Sequence, residues 1–227
     1  MSTDSVTIRR LEASEARANI PALCAVLIDC VEGGASVGFM HPMTADKATR
    51  FWTTVADGVR REERVFLVAQ DSEGLILGTV QLILALPENQ PHRADLAKML
   101  VSRRARRQGV AARLLDAAES AALDEGKSLL VLDAVTGGDA ARLYARSGWQ
   151  RIGDVPNFAL MPDGPFCSTT YFYKAPARCV ARPSLPPSYP PPPTPFGSPR
   201  PRRPPPRPPP PRTSPPPASP PPPTPLP

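Results

Sequence analysis

The sequence predicts an α+β fold, in which a mixed, mostly antiparallel sheet of six to seven strands is flanked by about four helices. Two observations point to this class. Strand-like runs joined by a tight turn come early and a strand–helix–strand run follows, so antiparallel and parallel pairs should share one sheet. Of the 34 prolines, 27 lie in the last 52 residues, so the folded domain should occupy residues 1–175 and a disordered Pro/Arg-rich tail residues 176–227.

The N-terminal part predicts one strand and two helices around a loop. Residues 5–10 alternate weakly, as in a strand, and apolar residues recur at helical spacing over residues 12–31. Pro21 lies inside this run, so the helix should kink or begin late. The glycine-rich residues 33–38 should form a loop, and Thr44 can cap the second helix.

The middle and C-terminal parts predict the rest of the sheet. The run of residues 129–135 is apolar on both faces except at Asp133, which predicts a buried central strand. Expected strands are residues 64–70, 75–86, 94–101, 129–135, 149–154 and 169–174, and expected helices are residues 109–125 and 139–146.

Charge and composition exclude several classes of protein. All 21 acidic residues and 20 of the 27 basic residues precede residue 176, so the net charge of +6 comes from the tail and does not indicate a nucleic-acid-binding globule. No apolar run is long enough to span a membrane or to act as a signal peptide. The four cysteines and two histidines lack metal-ligand spacing, which favours a reduced, cytoplasmic protein without a metal.

Residues 99–111 carry the most informative motif. A buried strand ends, a loop with four arginines follows, and a helix begins at Gly109. This arrangement directs backbone N–H groups and the positive end of the helix dipole at one point, as an anion site does. Gly109 lets the backbone approach an anion closely, and Ala111 keeps the first turn small. The alternative is a solvated basic loop before an ordinary helix.

The spacing Arg106-x-x-Gly109-x-Ala111 resembles the phosphate-binding signature of the GNAT family of N-acetyltransferases. Within that family, residues 33–40 (GGASVGFM) and further matches up to residue 174 resemble the tabtoxin resistance protein subgroup. The resemblance implies an enzyme that uses acetyl-CoA and whose fourth and fifth strands splay apart. Leu100 and Val101 would then hydrogen-bond the pantetheine arm. The pyrophosphate would be held by Arg106, Arg107, Gln108, Gly109, Val110 and Ala111.

Two carboxylates are candidates for taking a proton from the acceptor amine. Asp133 interrupts an apolar strand, and burial there would raise its pKa towards that of a useful base. Asp95 lies on the neighbouring strand, and two carboxylates facing one cleft would also bind an ammonium group. The alternatives are an ion pair of Asp95 with Arg93 or Lys98, and a capping or backbone-bonding role for Asp133.

Tyr144 is the candidate proton donor to the departing thiolate. The resemblance places a phenol at this helical position, and an ordinary phenol pKa of about 10 suits a thiolate. The alternative is a buried aromatic side chain without a role in catalysis. The acceptor pocket should be shaped by Gly33, Gly34, Ser36 and Phe39, unless their loop is only structural.

These residues predict acetyl transfer from acetyl-CoA to a primary amine of a small molecule, amino-acid-like or of antibiotic type, by direct attack in a ternary complex. Antibiotic resistance is the corresponding biological role. The alternatives are a protein or peptide amine as acceptor, and an interaction protein that works through the P-x-x-P steps of its tail. The tail can also be an out-of-frame extension without a role. No nucleic-acid or membrane partner is expected, and a homodimer is left open.

Overall fold

The computed structural model describes residues 6–177. The predicted disordered tail therefore lies outside the described residues from residue 178 onward. In chain order the elements are β1 (Thr7–Arg10), α1 (Ala13–Ala18), α2 (Ile20–Glu32), α3 (Ala45–Arg60), β2 (Arg64–Gln70), β3 (Ile76–Ile83), β4 (Arg93–Val101), α4 (Val110–Asp124), β5 (Leu129–Val135), α5 (Asp139–Arg146), β6 (Gln150–Leu160) and β7 (Phe166–Lys174).

The seven strands form one sheet in the order β1-β2-β3-β4-β5-β7-β6. Neighbouring strands pair antiparallel except β4 and β5, which are parallel and are connected through α4. The predicted mixed, mostly antiparallel sheet is confirmed.

Local signals explain where the helices begin. The predicted first helix is two helices, because the chain breaks at Asn19 and Pro21 lies in the first turn of α2, where a missing N–H costs nothing. The side chain of Thr44 accepts a hydrogen bond from the Lys47 backbone N–H and starts α3, as predicted.

The central strand β5 differs from its prediction. It is not buried on both faces, because buried side chains alternate with less buried ones and Asp133 is exposed. The apolar residues on both faces hide this alternation in the sequence. The buried side chains are Leu130, Leu132 and Ala134.

The hairpin of β6 and β7 is longer than predicted. Both strands continue past the core, where no alternation of apolar and polar residues marks them. Large apolar side chains of this extension are exposed, among them Ile152, Phe158 and Phe166.

The sheet separates two apolar cores, and this separation positions the site described below. On one face α4 and α5 pack against residues that include Leu96, Leu132 and Tyr144. On the other face α1, α2 and α3 pack against residues that include Phe66 and Leu100.

Two absences hold for residues 6–177. No helix in this range combines the length and the apolar character needed to cross a membrane. The same range contains no group of three or more His, Cys, Asp or Glu side chains arranged to hold a metal ion.

Candidate active site

The parallel strands β4 and β5 separate partway along their length. They pair only at Arg93, Ala94 and Asp95, opposite residues 129–131. Beyond these positions β4 continues beside β3 and β5 continues beside β7, so the carboxyl halves of the two strands leave an opening in the sheet. This opening is the splay that the resemblance implied. It leaves backbone groups of β4 without the partners that a continuous sheet would supply.

A β-bulge at Lys98 accompanies the departure of β4. Lys98 has φ +52°, in the left-handed region that non-glycine residues rarely adopt, and the register with β3 shifts between Thr79 and Gln81. The Thr79 hydroxyl donates a hydrogen bond to the Lys98 carbonyl at 3.0 Å, which stabilises the bulge.

Of the two residues predicted to bind pantetheine, Val101 is the one directed into the opening. The Ser102 N–H donates to a carbonyl of β3 at 2.9 Å. Because backbone groups alternate along a strand, those of Leu100 are also directed towards β3, and the N–H of Val101 is directed away from it. The Val101 carbonyl accepts long hydrogen bonds, both of 3.4 Å, from Cys30 Sγ and Arg106 Nε.

The amino end of α4 forms an anion cradle. Gly109 is the N-cap, with φ +76°, and no side chain caps the helix there. A Cβ atom on Gly109 would meet no atom within 4 Å, so the space in front of it is open. The first N–H groups of a helix have no partner within it, and here they face that space together with the positive end of the helix dipole. A pyrophosphate group fits this cradle.

The residues predicted for the pyrophosphate lie together in this cradle, but they contribute differently. Backbone N–H groups come from Gly109, Val110 and Ala111, while the Val110 side chain is buried. The side chains of Arg106 and Arg107 are exposed and add positive charge. Gln108 donates its side-chain N–H to a carbonyl of the same loop at 2.9 Å, so that donor is already used.

Asp29, near the end of α2, anchors the loop before α4, and the sequence analysis missed it. Its carboxylate accepts the Arg103 backbone N–H at 2.7 Å and the Arg103 Nε–H at 2.8 Å. Partial burial opposes ionisation, but the hydrogen bonds from Arg103 outweigh it and lower the pKa of Asp29. A contact across 74 positions leaves no local signal in the sequence.

Gly33 belongs to this anchor as well. A Cβ atom on Gly33 would come within 2.9 Å of Arg103 Cδ, so the absent side chain leaves room for the arginine. The structure therefore places Gly33 against Arg103 in the loop before α4, and its predicted place in the acceptor pocket stays a prediction.

Asp95, Asp133 and Tyr171 share one face of the sheet. Asp95 pairs with Val131, two residues before Asp133, and Asp133 pairs with Tyr171. Side chains of paired residues lie on the same face. Leu132 between them belongs to the core under α4 and α5, so these three side chains lie on the side of α1, α2 and α3. We call this side the acceptor face.

Asp95 has the properties of a general base. Its Oδ2 forms an ion pair with Arg93 Nη2 at 3.1 Å. Of the two partners that the sequence offered, Arg93 and Lys98, the structure therefore selects Arg93. Its Oδ1 is buried and accepts no hydrogen bond from residues 6–177. Burial raises the pKa of Asp95, with Arg93 opposing and the charge of Asp133 contributing. A carboxylate with an unpaired oxygen and a raised pKa is suited to take a proton from an amine.

The prediction that Asp133 is a buried carboxylate is wrong. Asp133 is exposed, because β4 departs and no strand within residues 6–177 pairs with this edge of β5 in its place. The Thr169 hydroxyl donates to Asp133 Oδ2 at 2.9 Å and orients the carboxylate. Its exposure suits the binding of an ammonium group better than the removal of a proton.

Tyr144 lies on the opposite face, in the core under α4 and α5. Its side chain is 3% exposed, and its ring lies 5.8 Å from Trp149 and 6.0 Å from Phe172 between centroids. Burial, and to a lesser extent the charge of Asp133, raises the pKa of Tyr144. The phenol therefore stays protonated at neutral pH, but its raised pKa makes it a weaker acid than the ordinary phenol that the sequence analysis matched to a thiolate, so its role as proton donor stays a prediction.

The loop of residues 33–40 is tied to its surroundings at several points. The Ser36 hydroxyl donates to the Leu160 carbonyl of β6 at 3.3 Å, and Phe39 packs edge-on against Phe51 of α3 at 5.2 Å. A Cβ atom on Gly34 would meet no atom within 4 Å, so this position borders open space. The loop therefore connects α3 with the β6–β7 hairpin beside the acceptor face.

Lys98 is a further site residue without a predicted role. Its Nζ donates to the Val37 carbonyl at 2.8 Å and lies 5.8 Å and 5.7 Å from the ring centroids of Phe39 and Phe51. Burial lowers the pKa of Lys98. The available signal was a lysine within an apolar strand, and that pattern fits an exposed side chain equally well.

The sequence profile of the acetyltransferase (GNAT) family matches residues 28–149. The chain belongs to this family. The matched span contains Asp95, Asp133, Tyr144 and the loop before α4. GNAT enzymes use acetyl-CoA, and the opening and the anion cradle fit its pantetheine arm and pyrophosphate.

Solved structures share the fold at low sequence identity. A candidate acetyltransferase from Salmonella typhimurium, solved with its cofactor acetyl-CoA, has 16% identity and a TM-score of 0.63, with 79% of this chain and 98% of that chain covered. A ribosomal-protein-alanine N-acetyltransferase from Brucella melitensis has 22% identity and a TM-score of 0.61, with 74% and 99% covered. A candidate phosphinothricin N-acetyltransferase has 18% identity and a TM-score of 0.61, with 76% and 99% covered.

Proposed function

We propose that this protein transfers the acetyl group of acetyl-CoA directly to a primary amine of a small molecule. The observation that carries this proposal is the opening between β4 and β5, with the unpaired carboxylate oxygen of Asp95 on one face and the buried phenol of Tyr144 on the other. A base and an acid are thus available on the two sides of the position where a thioester would lie between the strands.

The steps follow from these positions. The Val101 N–H and the cradle at Gly109 hold acetyl-CoA along the opening. Asp133 binds the acceptor as its ammonium ion, and Asp95 takes a proton so that the neutral nitrogen attacks the thioester carbonyl. The nitrogen loses its second proton to water as the amide forms. The carbon–sulfur bond then breaks, and Tyr144 donates a proton to the thiolate that leaves.

A small acceptor is favoured by the surroundings of the acceptor face. Residues 33–40 are bound to β6 through Ser36, and the His41 N–H donates to the Pro162 carbonyl at 3.0 Å. These contacts hold residues 33–40 against the β6–β7 hairpin, which would bound an acceptor pocket on that side. Because of residues 33–40, we propose that the chain resembles the tabtoxin resistance subgroup and that its acceptor is an amino-acid-like or antibiotic amine. The corresponding role is antibiotic resistance, and the proposed location is the cytoplasm. A homodimer stays a prediction.

Two measurements test the proposal. Calorimetry should detect binding of acetyl-CoA to the full chain, and thiol release should identify turnover in a screen of amino acids, aminoglycosides and lysine peptides. Asp95→Asn should lower turnover about a hundredfold or more, as expected for loss of a general base. Asp116→Asn, on the exposed side of α4, is the matched control and should leave turnover unchanged. Absence of acetyl-CoA binding would refute the proposal.

A protein or peptide amine is the second candidate acceptor. The exposure of Asp133 favours it, because an exposed carboxylate is accessible to a lysine or an N-terminus at a surface. The same screen distinguishes a small-molecule acceptor from a peptide acceptor. If the acceptor is a protein or peptide amine, the lysine peptides should show the highest kcat/KM.

We also propose that the catalytic domain is residues 1–175 and that the tail is not needed for transfer. Pro176 is buried, so a truncation after residue 177 keeps this buried residue in the domain. This truncated chain should keep the kcat and KM of the full chain. A loss of activity at unchanged melting temperature would assign a role to the tail, as the interaction hypothesis requires.

A further inference from the structure

The four lysines of the chain have very different surroundings. Lys47 is exposed, and Lys127 donates to the carbonyl of Pro91. Lys174 forms an ion pair with Glu119 at 2.6 Å. The Lys98 Nζ lies beside the ring pair of Phe39 and Phe51, 5.8 Å and 5.7 Å from their centroids, and donates a hydrogen bond to the Val37 carbonyl. Among the described residues Lys98 has no salt-bridge partner, although it lies inside a fold that handles an acyl donor.

The position of Lys98 brings its amine to the chemistry. Lys98 forms the bulge at which β4 leaves β5, three residues after Asp95 and three before Val101. Its Nζ reaches Val37, Phe39 and Phe51, which lie in or beside the acceptor loop. The amine is therefore on the acceptor face, at the edge of the opening.

The surroundings of Lys98 favour its neutral form. Burial is the main cause of its lowered pKa, and the positive charge of Arg64 on β2 acts in the same direction, while Asp133 on β5 opposes both. A neutral amine is the nucleophilic form, and desolvation of a lysine is a known way of activating it. A group held beside its reaction partner also gains from proximity.

We propose that Lys98 is a self-acetylation site, which takes the acetyl group of acetyl-CoA bound to the same chain when no acceptor occupies the site. This rests on the proposed function, because it uses the same bound thioester. The Nζ lone pair forms a bond to the carbonyl carbon, and the carbon–sulfur bond breaks. One proton leaves the nitrogen for Asp133 or water, and the thiolate gains one from Tyr144. The products are an acetyl-lysine amide and free CoA thiol.

Acetylation of Lys98 would change the acceptor face. The amide carries no positive charge, so the contacts with the rings of Phe39 and Phe51 lose their electrostatic part. The added acetyl group takes up space beside Val37, Phe39 and Phe51, in or next to the acceptor loop. Acetylated protein should therefore turn over its amine acceptor at least about tenfold more slowly, as is typical when reacting groups are displaced.

The test uses the full chain with acetyl-CoA and no acceptor. Intact mass should show one added acetyl group, and peptide mapping should assign it to Lys98. Modification of Lys98 should be at least about tenfold faster than that of Lys47, because only Lys98 lies beside the bound thioester. An excess of CoA should block labelling of Lys98 and leave slow labelling of Lys47 unchanged.

Two variants complete the experiment. Lys98→Arg should abolish the fast acetylation, and Lys47→Arg should leave it intact. Calorimetry on both variants should show acetyl-CoA binding, which verifies that they fold. If acetyl-CoA binds and an amine is turned over but Lys98 stays unmodified, or if Lys98→Arg is labelled as fast as the native chain, self-acetylation is overturned and the proposed function stands. If acetyl-CoA does not bind at all, both are overturned.

Discussion

Gly109→Ala should weaken acetyl-CoA binding more than it weakens the fold. Gly109 has φ +76°, and an added Cβ would meet no atom of the protein within 4 Å. The cost to the free protein is therefore backbone strain alone, about 1–2 kcal/mol for a non-glycine residue in the left-handed region. For a domain of this size, each kcal/mol lowers the melting temperature by about 2–4 °C.

The cost to binding has a different origin. The new Cβ would stand in open space at the N-cap of α4, next to the first N–H groups of the helix. If the methyl group keeps the pyrophosphate from one of these donors, about 1.5–3 kcal/mol is lost for a hydrogen bond to a charged group. This loss corresponds to a rise in Kd of about ten- to a hundredfold.

The same helix provides a matched control. Gly126, just beyond the carboxyl end of α4, has φ +68°, and its Cβ would also meet nothing within 4 Å. Gly126→Ala should therefore lower the melting temperature by a similar amount and leave the Kd for acetyl-CoA unchanged. Calorimetry and thermal denaturation of both variants measure the two effects separately. Equal Kd values for Gly109→Ala and Gly126→Ala would refute the assignment of the cradle.

Three further predictions concern single side chains. Tyr144→Phe keeps the ring contacts, so it should lower kcat about a hundredfold while calorimetry shows nearly unchanged CoA affinity; an equal loss of both would indicate a structural role. The pKa of Asp95 is raised, so kcat/KM should fall as the pH drops through a value above 3.8, and Asp95→Asn should remove this acidic limb from the pH profile. The pKa of Asp29 is lowered, so the ionised carboxylate stabilises the folded protein above pH 3.8, and this stabilisation is lost as the pH falls further. In acid denaturation the Asp29→Asn variant should not show this loss of stability. Its KM for acetyl-CoA should rise severalfold.

Elements with strong local signals were predictable from the sequence. The bounds of β2, β5 and α5 agree with their predictions, because each is an apolar run or a short amphipathic helix with clear ends. The anion cradle was predictable for the same reason, since a basic loop and a glycine directly precede the periodic residues of α4. These features depend on residues that are neighbours in the chain.

Features that depend on distant parts of the chain were not predictable. The exposure of Asp133 depends on the point at which β4 separates from β5. The sequence of β5 contains no signal for that point. Lys98 adopts a positive φ that the sequence marks with neither glycine nor asparagine. Asp29 meets Arg103 only because α2 packs beside the end of β4.

The arrangement of the site makes the sheet itself part of the chemistry. In the proposed mechanism Asp95 acts on an acceptor nitrogen from one face of the sheet and Tyr144 acts on the sulfur from the other, which requires a place where no strand separates them. That condition holds beyond the three paired residues of β4 and β5, so the length of this pairing determines where transfer can take place. The proposed mechanism thus assigns proton removal and proton donation to different side chains, so each can be altered separately. Asp95→Asn should change the pH profile with every acyl donor, whereas the loss in Tyr144→Phe should shrink with thioesters whose thiols are more acidic, since such thiolates leave without a proton.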